Sequence, residues 1–351
     1  MMTYYIIKRL LLIIPTLLGV MLVTFTVTQF VPGGPIEQLI NQLRNPYHVG
    51  ESASGAEGLY RGATGLDEEK IAELKKFYGF DKPAYERFWI MMKQYLTFDF
   101  GDSYFHHKTV LELVISKLPV SVSLGLWTFI LTYLICIPLG IAKATRDGSA
   151  FDVITSTLIL IGYAIPGFVL GILLLVLLGG GSFWDLFPLR GLVSDNWHQL
   201  STLDKILDYL WHITLPIISL MVGSFAVMTL LTKNSFIEEI RKQYVLTARV
   251  KGLKENAILY KHVFRNAIIP LITGFPAAFI LSFFTGSLLI ETIFSLDGIG
   301  LLSYESVIKR DYPVVLGTLY MFTLLGLFAK LLTDISYVLI DPRIQFESVN
   351  Q

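Results

Sequence analysis

Six segments of this chain are long and apolar enough to cross a lipid bilayer as helices, and this feature restricts the possible fold more than any other. About 20 apolar residues span the hydrocarbon layer, and a helix satisfies its own backbone hydrogen bonds there. The segments are residues 10–31, 120–142, 153–179, 213–232, 267–290 and 314–339. The sequence therefore predicts an all-α polytopic membrane protein with six transmembrane helices.

The composition agrees with this prediction. Hydrophobic residues make up 53% of the 351 residues and charged residues only 16%, whereas a soluble domain carries roughly 25% charged residues. The formal net charge is zero, so no overall positive charge attracts nucleic acid. With a single cysteine, Cys136, the chain has no internal disulfide framework and no cysteine metal site.

The basic residues predict how the chain is oriented and divided. Short cytoplasmic loops are enriched in lysine and arginine, and such residues flank the spans at Lys8, Lys143 and Lys233. Both termini are therefore expected in the cytoplasm. The predicted divisions are residues 1–31 (tail and first span), 32–119 (periplasmic region), 120–343 (five-span core with the cytoplasmic loop 233–265) and 344–351 (C-terminal tail).

Two helices are predicted within the periplasmic region, at residues 66–78 and 88–96. The first begins with acidic residues and ends with lysines before a glycine, which is the arrangement that complements a helix dipole. The insert at residues 41–66 is rich in glycine, asparagine and serine, so a flexible stretch is expected there.

The cytoplasmic loop at residues 233–265 is strongly basic and has a helical pattern. One helix is predicted at 235–251, ended by Gly252 because glycine readily adopts the left-handed conformation, and a second at 255–264. Apolar anchors are expected at Phe236, Ile240, Tyr244 and Ala248, with Arg249, Lys251 and Lys254 around the rim. Two interpretations stay open on these grounds: the anchors insert into a partner protein, or the loop lies on anionic lipid.

No motif for catalysis or nucleotide binding is found along the chain. It lacks a P-loop, an H-E-x-x-H sequence and a G-x-S-x-G sequence. Energy for transport would therefore come from a partner or from an ion gradient, which keeps a secondary transporter as an alternative. A membrane-embedded hydrolase is a further alternative, but the spans contain no recognisable nucleophile–base or metal-ligand set.

The loop resembles the EAA loop of permeases from ABC importers, in the form found in oligopeptide, dipeptide and nickel permeases. The matching residues run from Tyr244 to Gly252 and from His262 to Pro270, although the glutamate that gives the loop its name is absent here. In that family the loop forms a coupling helix that sits in a cleft of the ATPase subunit. The resemblance implies this role for Tyr244, Thr247, Ala248, Arg249, Lys251, Gly252 and Lys254.

The resemblance covers nearly the whole chain and is strongest to the YejB-type branch of the family, which imports oligopeptides and the peptide-nucleotide antibiotic microcin C. The match to this branch in particular rests on the insert at 41–66 and on the strings FDFGDS and FPLRGLVS. It implies the type I (MetI-like) permease fold in the bacterial inner membrane. It also implies a second homologous permease in a heterodimer, ATPase subunits that bind ATP and Mg²⁺, a periplasmic peptide-binding protein, and no cofactor in this chain.

Three charged residues lie in or beside the predicted spans and are candidates for the substrate path: Glu291, Lys330 and Asp334. Ionisable groups at membrane depth are functional candidates by default. Lys330 and Asp334 are four residues apart and share one helix face. They are expected to form a structural pair, with interfacial and substrate-path roles as alternatives. Glu291 is expected to serve as an outer-gate residue or as an anchor at headgroup level.

Overall fold

The computed structural model describes residues 2–31, 81–106, 108–180, 183–283 and 286–340. Helices are the regular elements of these ranges, so the prediction of an all-α protein is confirmed. The insert at 41–66, the helix predicted at 66–78 and the C-terminal tail at 344–351 lie outside the described residues.

Four single helices are long and apolar enough to span a membrane. These are α1 (Met2–Phe30), α3 (Val110–Thr145), α6 (Thr202–Ile240) and α12 (Tyr312–Ile340). They extend beyond the apolar segments because polar end residues continue the helical hydrogen bonding. At the start of α6, for example, the Ser201 hydroxyl accepts a hydrogen bond from the Asp204 backbone N–H at 3.3 Å, which is a typical N-cap.

The third predicted span is bent instead of continuous. Helices α4 (Ala150–Ala164) and α5 (Gly167–Leu178) meet at an angle of 95°. Pro166 causes the break, because it has no backbone N–H and disfavours helical geometry at the residue before it. Ile165 accordingly has extended backbone angles, with φ −88° and ψ 120°.

The bounds of the fifth predicted span, 267–290, differ from those in the structure at both ends. Helix α8 (Glu255–Ala267) joins α9 (Ile269–Ser282) at an angle of 53°, and a π-helical turn, Leu259–Val263, lies within α8. Residue Ile290 belongs to a separate short helix, α10 (Leu288–Ile293). If each bent pair forms one span, the described residues provide six spans.

The first of two compact units contains Met1–Arg9, Lys117–Leu301 and Leu325–Gln351. Glycines allow its helices to approach closely, as is common in membrane proteins. A Cβ on Gly125 of α3 would lie 1.6 Å from the Ser282 carbonyl oxygen of α9, and one on Gly167 of α5 would lie 2.5 Å from the Ser219 carbonyl oxygen of α6.

The second unit contains Leu10–Ser116 and Leu302–Leu324, and aromatic side chains form much of its core. Helix α2 (Ala84–Tyr95) confirms the helix predicted at 88–96. The ring of Tyr95 packs edge-on against Phe100 and Tyr320, with ring centroids 4.9 Å and 5.3 Å apart. Helix α11 (Ile299–Lys309) leads to Asp311, whose buried carboxylate accepts a hydrogen bond from the Ser103 hydroxyl.

Candidate functional site

The predicted cytoplasmic loop contains a short helix, α7 (Gln243–Val250), which is separate from α6. The single helix predicted at 235–251 is therefore wrong: α6 ends at Ile240 and Lys242 has an extended backbone with ψ 151°. The break changes which side of the segment faces inward. Val245 is almost fully buried, whereas Tyr244 is only partly buried.

Gly252 ends α7 with a complete Schellman motif. Its N–H donates to the Arg249 carbonyl at 2.9 Å, and the Leu253 N–H donates to the Ala248 carbonyl at 3.3 Å. This geometry requires a left-handed residue after the helix, and Gly252 has φ +76°. The prediction that Gly252 stops this helix is confirmed.

The inward side chains of the segment form part of the chain's own hydrophobic core. Val245 and Ala248 pack in one cluster with Phe236 of α6 and with Ile258 and Val263 of α8. Ile141 and Ala144 of α3 complete this cluster. The expectation that Phe236 and Ala248 insert into a partner is therefore wrong, because this core already buries both side chains.

The outward side of α7 and the turn after it expose apolar groups. Val250 is 82% exposed, Leu246 is 55% exposed and Leu253 is 43% exposed. Thr247, Lys251 and Lys254 are exposed beside them. These six residues are called the docking face below.

Two of the predicted coupling residues stabilise the segment itself. The Arg249 guanidinium forms a two-bond ion pair with the Glu255 carboxylate, at 2.7 Å and 3.0 Å, across the Gly252 turn. The Tyr244 hydroxyl donates to Glu239 Oε2 at 2.6 Å. Burial and this hydrogen bond raise the pKa of Tyr244. Arg249 is therefore not a free rim cation, and Tyr244 positions α7 against α6.

Glu291 is fully buried beside the turn between α10 and α11. Its carboxylate accepts hydrogen bonds from the backbone N–H groups of Leu301 at 2.7 Å and Ser287 at 3.2 Å. Burial raises the pKa of Glu291 despite these bonds. The predicted role as a headgroup anchor is wrong, because the side chain has no exposed surface. In this conformation it holds a backbone turn and lines no open path.

The predicted pair between Lys330 and Asp334 does not form. Asp334 instead binds the Arg9 guanidinium at 3.0 Å and accepts a hydrogen bond from the Tyr5 hydroxyl at 2.8 Å. Within the described part of the chain, Lys330 has an exposed side chain and no ion pair. Asp334 thus connects the first and last helices, which fits the interfacial structural role.

A groove between α3, α6 and α9 was not identified from the sequence. Its volume is about 520 Å³, and hydroxyl groups, small residues and aromatic rings line it. Phe129 and Tyr133 of its lining pack at a tilt against each other and edge-on against Phe275 of α9, at centroid distances of 4.6–5.4 Å. Its hydroxyl groups belong to Thr128, Thr132, Tyr133, Ser224 and Ser282. The sequence indicates these residues only by the recurrence of hydroxyl side chains within apolar runs. This surface is called the central groove below.

Comparison with known proteins identifies the family. The model of the binding-protein-dependent transport system inner membrane component matches residues 136–346, which include the docking face and Gly252. The peptidoglycan transport system permease protein YejB of Agrobacterium fabrum is 58% identical, with 98% of each chain covered.

Two further relatives agree with this match. The inner membrane ABC transporter permease protein YejB of Escherichia coli O157:H7 is 54% identical over 98% of this chain and 99% of its own. The oligopeptide transport system permease protein AppB of Bacillus subtilis is 33% identical over 98% of this chain and all of its own. The resemblance to the YejB-type branch is confirmed, and the ion-gradient alternative has no support. The chain belongs to the family of inner membrane components of binding-protein-dependent transport systems, as a multi-pass permease with the MetI-like fold.

Proposed function

We propose that this chain is one permease subunit of an ABC importer for oligopeptides or peptide-like compounds, and that a separate ATPase drives it by binding the docking face. The observation that carries the proposal is the exposure of Val250, Leu246 and Leu253 on a segment whose other side is fixed in the core. Burial of exposed apolar side chains is the main source of binding energy at the centre of an interface.

The construction of the segment supports a mechanical role. The Schellman motif at Gly252 and the ion pair between Arg249 and Glu255 fix the turn that follows α7. Because Val245 and Ala248 share one core with α3 and α6, a push on α7 displaces the ends of both spanning helices. ATP and Mg²⁺ are then bound by the ATPase subunits, and this chain needs no cofactor of its own.

The remaining partners follow from the family and from the central groove. We propose that a second, homologous permease faces the groove in a heterodimer and completes the path, and that a periplasmic binding protein delivers the substrate. The names of the relatives include peptidoglycan and oligopeptide transport, so oligopeptides and peptide-containing wall fragments are the proposed cargo, with microcin C as a candidate. Both termini are proposed to be cytoplasmic.

The test is co-purification of the ATPase with a tagged version of this chain. Val250→Asp places a charge at the most exposed apolar position of the docking face, and we expect it to reduce the recovered ATPase at least tenfold. Leu186→Asp is the matched control, because Leu186 is also exposed (51%) but lies outside the loop. It should leave recovery unchanged.

Two results would reject the proposal. Unchanged ATPase recovery with Val250→Asp, together with loss of binding to anionic vesicles, would favour the lipid interpretation of the loop. Uphill uptake of peptide by vesicles that contain this chain without any ATPase would show that an ion gradient supplies the energy.

A further inference from the structure

A buried cluster of charges joins three helices near the docking face. The Lys143 ammonium of α3 lies 3.1 Å from Asp152 Oδ1, and the Lys233 ammonium of α6 lies 2.7 Å from Asp152 Oδ2. Asp152 is in the first turn of α4. One carboxylate therefore connects the ends of α3 and α6 to the start of α4. Lys143, Asp152 and Lys233 are called the charge cluster below.

The cluster is buried, and hydrogen bonds satisfy the Lys143 ammonium, while Asp152 Oδ1 has only its ion pair with that ammonium. The Lys143 side chain is 0% exposed and the Asp152 side chain 6% exposed. The Lys143 ammonium also donates to the Asp152 carbonyl and to the hydroxyls of Thr155 and Ser156, at 2.7–2.9 Å. A buried charge is tolerated only when it is paired and hydrogen-bonded. Such a pair has a narrow geometry, so it holds α4 at a fixed position relative to α3 and α6.

The same helix ends carry the core beneath the docking face. Ile141 and Ala144 lie within two residues of Lys143 in the sequence, and both pack in one cluster with Val245 and Ala248 of α7. Phe236 follows Lys233 by three residues on α6 and belongs to the same cluster. The apolar cluster therefore links α7 to α3 and α6, while the charge cluster links α3 and α6 to α4.

Helix α4 is connected to α5 through the bend at Pro166. After the 95° bend at Pro166, α5 packs against α6 and against α10. Gly171 of α5 lies beside Ser219 of α6 and beside Ile290 and Phe294, so a Cβ there would meet all three at 3.2–3.4 Å. The α4–α5 pair therefore connects the charge cluster to the helix that contains Glu291.

We propose that Asp152 is a positioning residue which transmits movement of α7 to the bent α4–α5 pair, so that ATP hydrolysis and substrate movement stay coupled. This inference rests on the proposed function, because the movement of α7 comes from the bound ATPase. Asp152 contacts neither the docking face nor the central groove. Loss of the Asp152 carboxylate should therefore uncouple ATP hydrolysis from peptide transport, while the ATPase and the peptide still bind.

The test uses the complete importer in vesicles, with ATP hydrolysis and peptide uptake measured on the same preparation. Lys233→Met removes the ion pairs of α6 with Asp152 of α4 and with Asp147 in the turn before α4, and leaves the buried Lys143–Asp152 pair intact. We expect ATPase recovery and hydrolysis within twofold of wild type and at least a fivefold fall in peptide imported per ATP. Asp152→Asn should give a larger fall. Lys309→Met is the matched control, because the one ion pair of Lys309 with the described residues is an exposed pair with Glu305, and the ratio of this variant should not change.

Three results would overturn the inference. The first is an unchanged ratio in Lys233→Met, and the second is an equal fall in Lys233→Met and Lys309→Met. The third is loss of ATPase binding in Lys233→Met, which would make the charge cluster a support for the docking face. If Asp152→Asn fails to assemble, Lys233→Met still decides the matter. Failure of the proposed function is distinguishable, because the wild-type chain would then recover no ATPase.

Discussion

Substitutions at Gly252 separate a backbone requirement from a contact with a partner. Gly252 has φ +76°, and apart from its two neighbours in sequence no atom of the described residues lies within 4 Å of a Cβ built there. The penalty for a side chain within this chain therefore comes from the left-handed backbone alone. That penalty is about 1 kcal/mol for alanine and about 2 kcal/mol for valine, while asparagine tolerates the conformation.

These energies set the expected effect on ATPase binding. If the strained turn rearranges, the fraction of chains with the native docking face falls, and the apparent dissociation constant rises by the same factor. About 1 kcal/mol corresponds to at most roughly a fivefold change and about 2 kcal/mol to roughly a 30-fold change. The expected loss of ATPase affinity is smallest for Gly252→Asn, larger for Gly252→Ala and largest for Gly252→Val.

The assay is a titration of the purified ATPase subunit against each variant in detergent or nanodiscs, followed by ATP-driven peptide uptake. The order of asparagine and alanine is decisive, because asparagine is the larger side chain but the better left-handed residue. If Gly252→Asn binds more weakly than Gly252→Ala, the partner's surface sets the requirement for glycine and the backbone argument is wrong. Equal binding by all three variants would refute both explanations.

Three further predictions concern stability and substrate preference. Gly125→Ala should lower the thermal midpoint of the purified protein, because the new Cβ would overlap Ser282 and overpacking costs about 1–3 kcal/mol. In Gly223→Ala, in the same groove, the new Cβ meets nothing within 4 Å, so this control should be neutral or stabilising. Equal midpoints of the two variants would contradict this prediction. Burial raises the pKa of Asp311, so the contribution of Asp311 to stability is fully present below the unfolded pKa and is lost as pH rises through the folded pKa. Asp311→Asn should remove this part of the pH dependence of the thermal midpoint, and an unchanged profile would refute the assignment. Asp334→Asn should lower the thermal midpoint without changing peptide preference, because Arg9 and Tyr5 lose their partner. Lys330→Met should leave the midpoint unchanged or raised, since a lysine at membrane depth is unfavourable. A changed peptide preference in either variant would instead support a substrate-path role.

The spans and the end of α7 could be predicted because each depends on local sequence. Apolar length predicts a membrane helix, and Gly252 predicts a helix stop. The bend at Pro166 was missed because proline is tolerated within many membrane helices, so its presence alone does not indicate a 95° angle. Pro166 explains the extended residue before it, but the size of the angle depends on the packing of α5 against α6, which no local pattern encodes.

The roles of charged residues were harder to predict than their positions. Lys143 stands at the end of an apolar run and has the sequence pattern of a loop cation, yet its side chain is completely buried against Asp152. Glu291 and Asp334 find partners that are distant in sequence or belong to the backbone. Charge pairing depends on which helices are neighbours, and hydropathy does not specify that arrangement.

The distribution of charge also indicates where an importer of this kind discriminates between substrates. No lysine, arginine, aspartate or glutamate is among the described residues that line the central groove, whereas charges cluster at the ends of α3, α4 and α6. A path must bind its cargo weakly enough to release it, and hydroxyl groups and aromatic faces accept varied peptide side chains without requiring a matching charge. If peptides pass through this groove, selection by charge falls to the periplasmic binding protein, while the charged groups of the permease serve to hold its helices together.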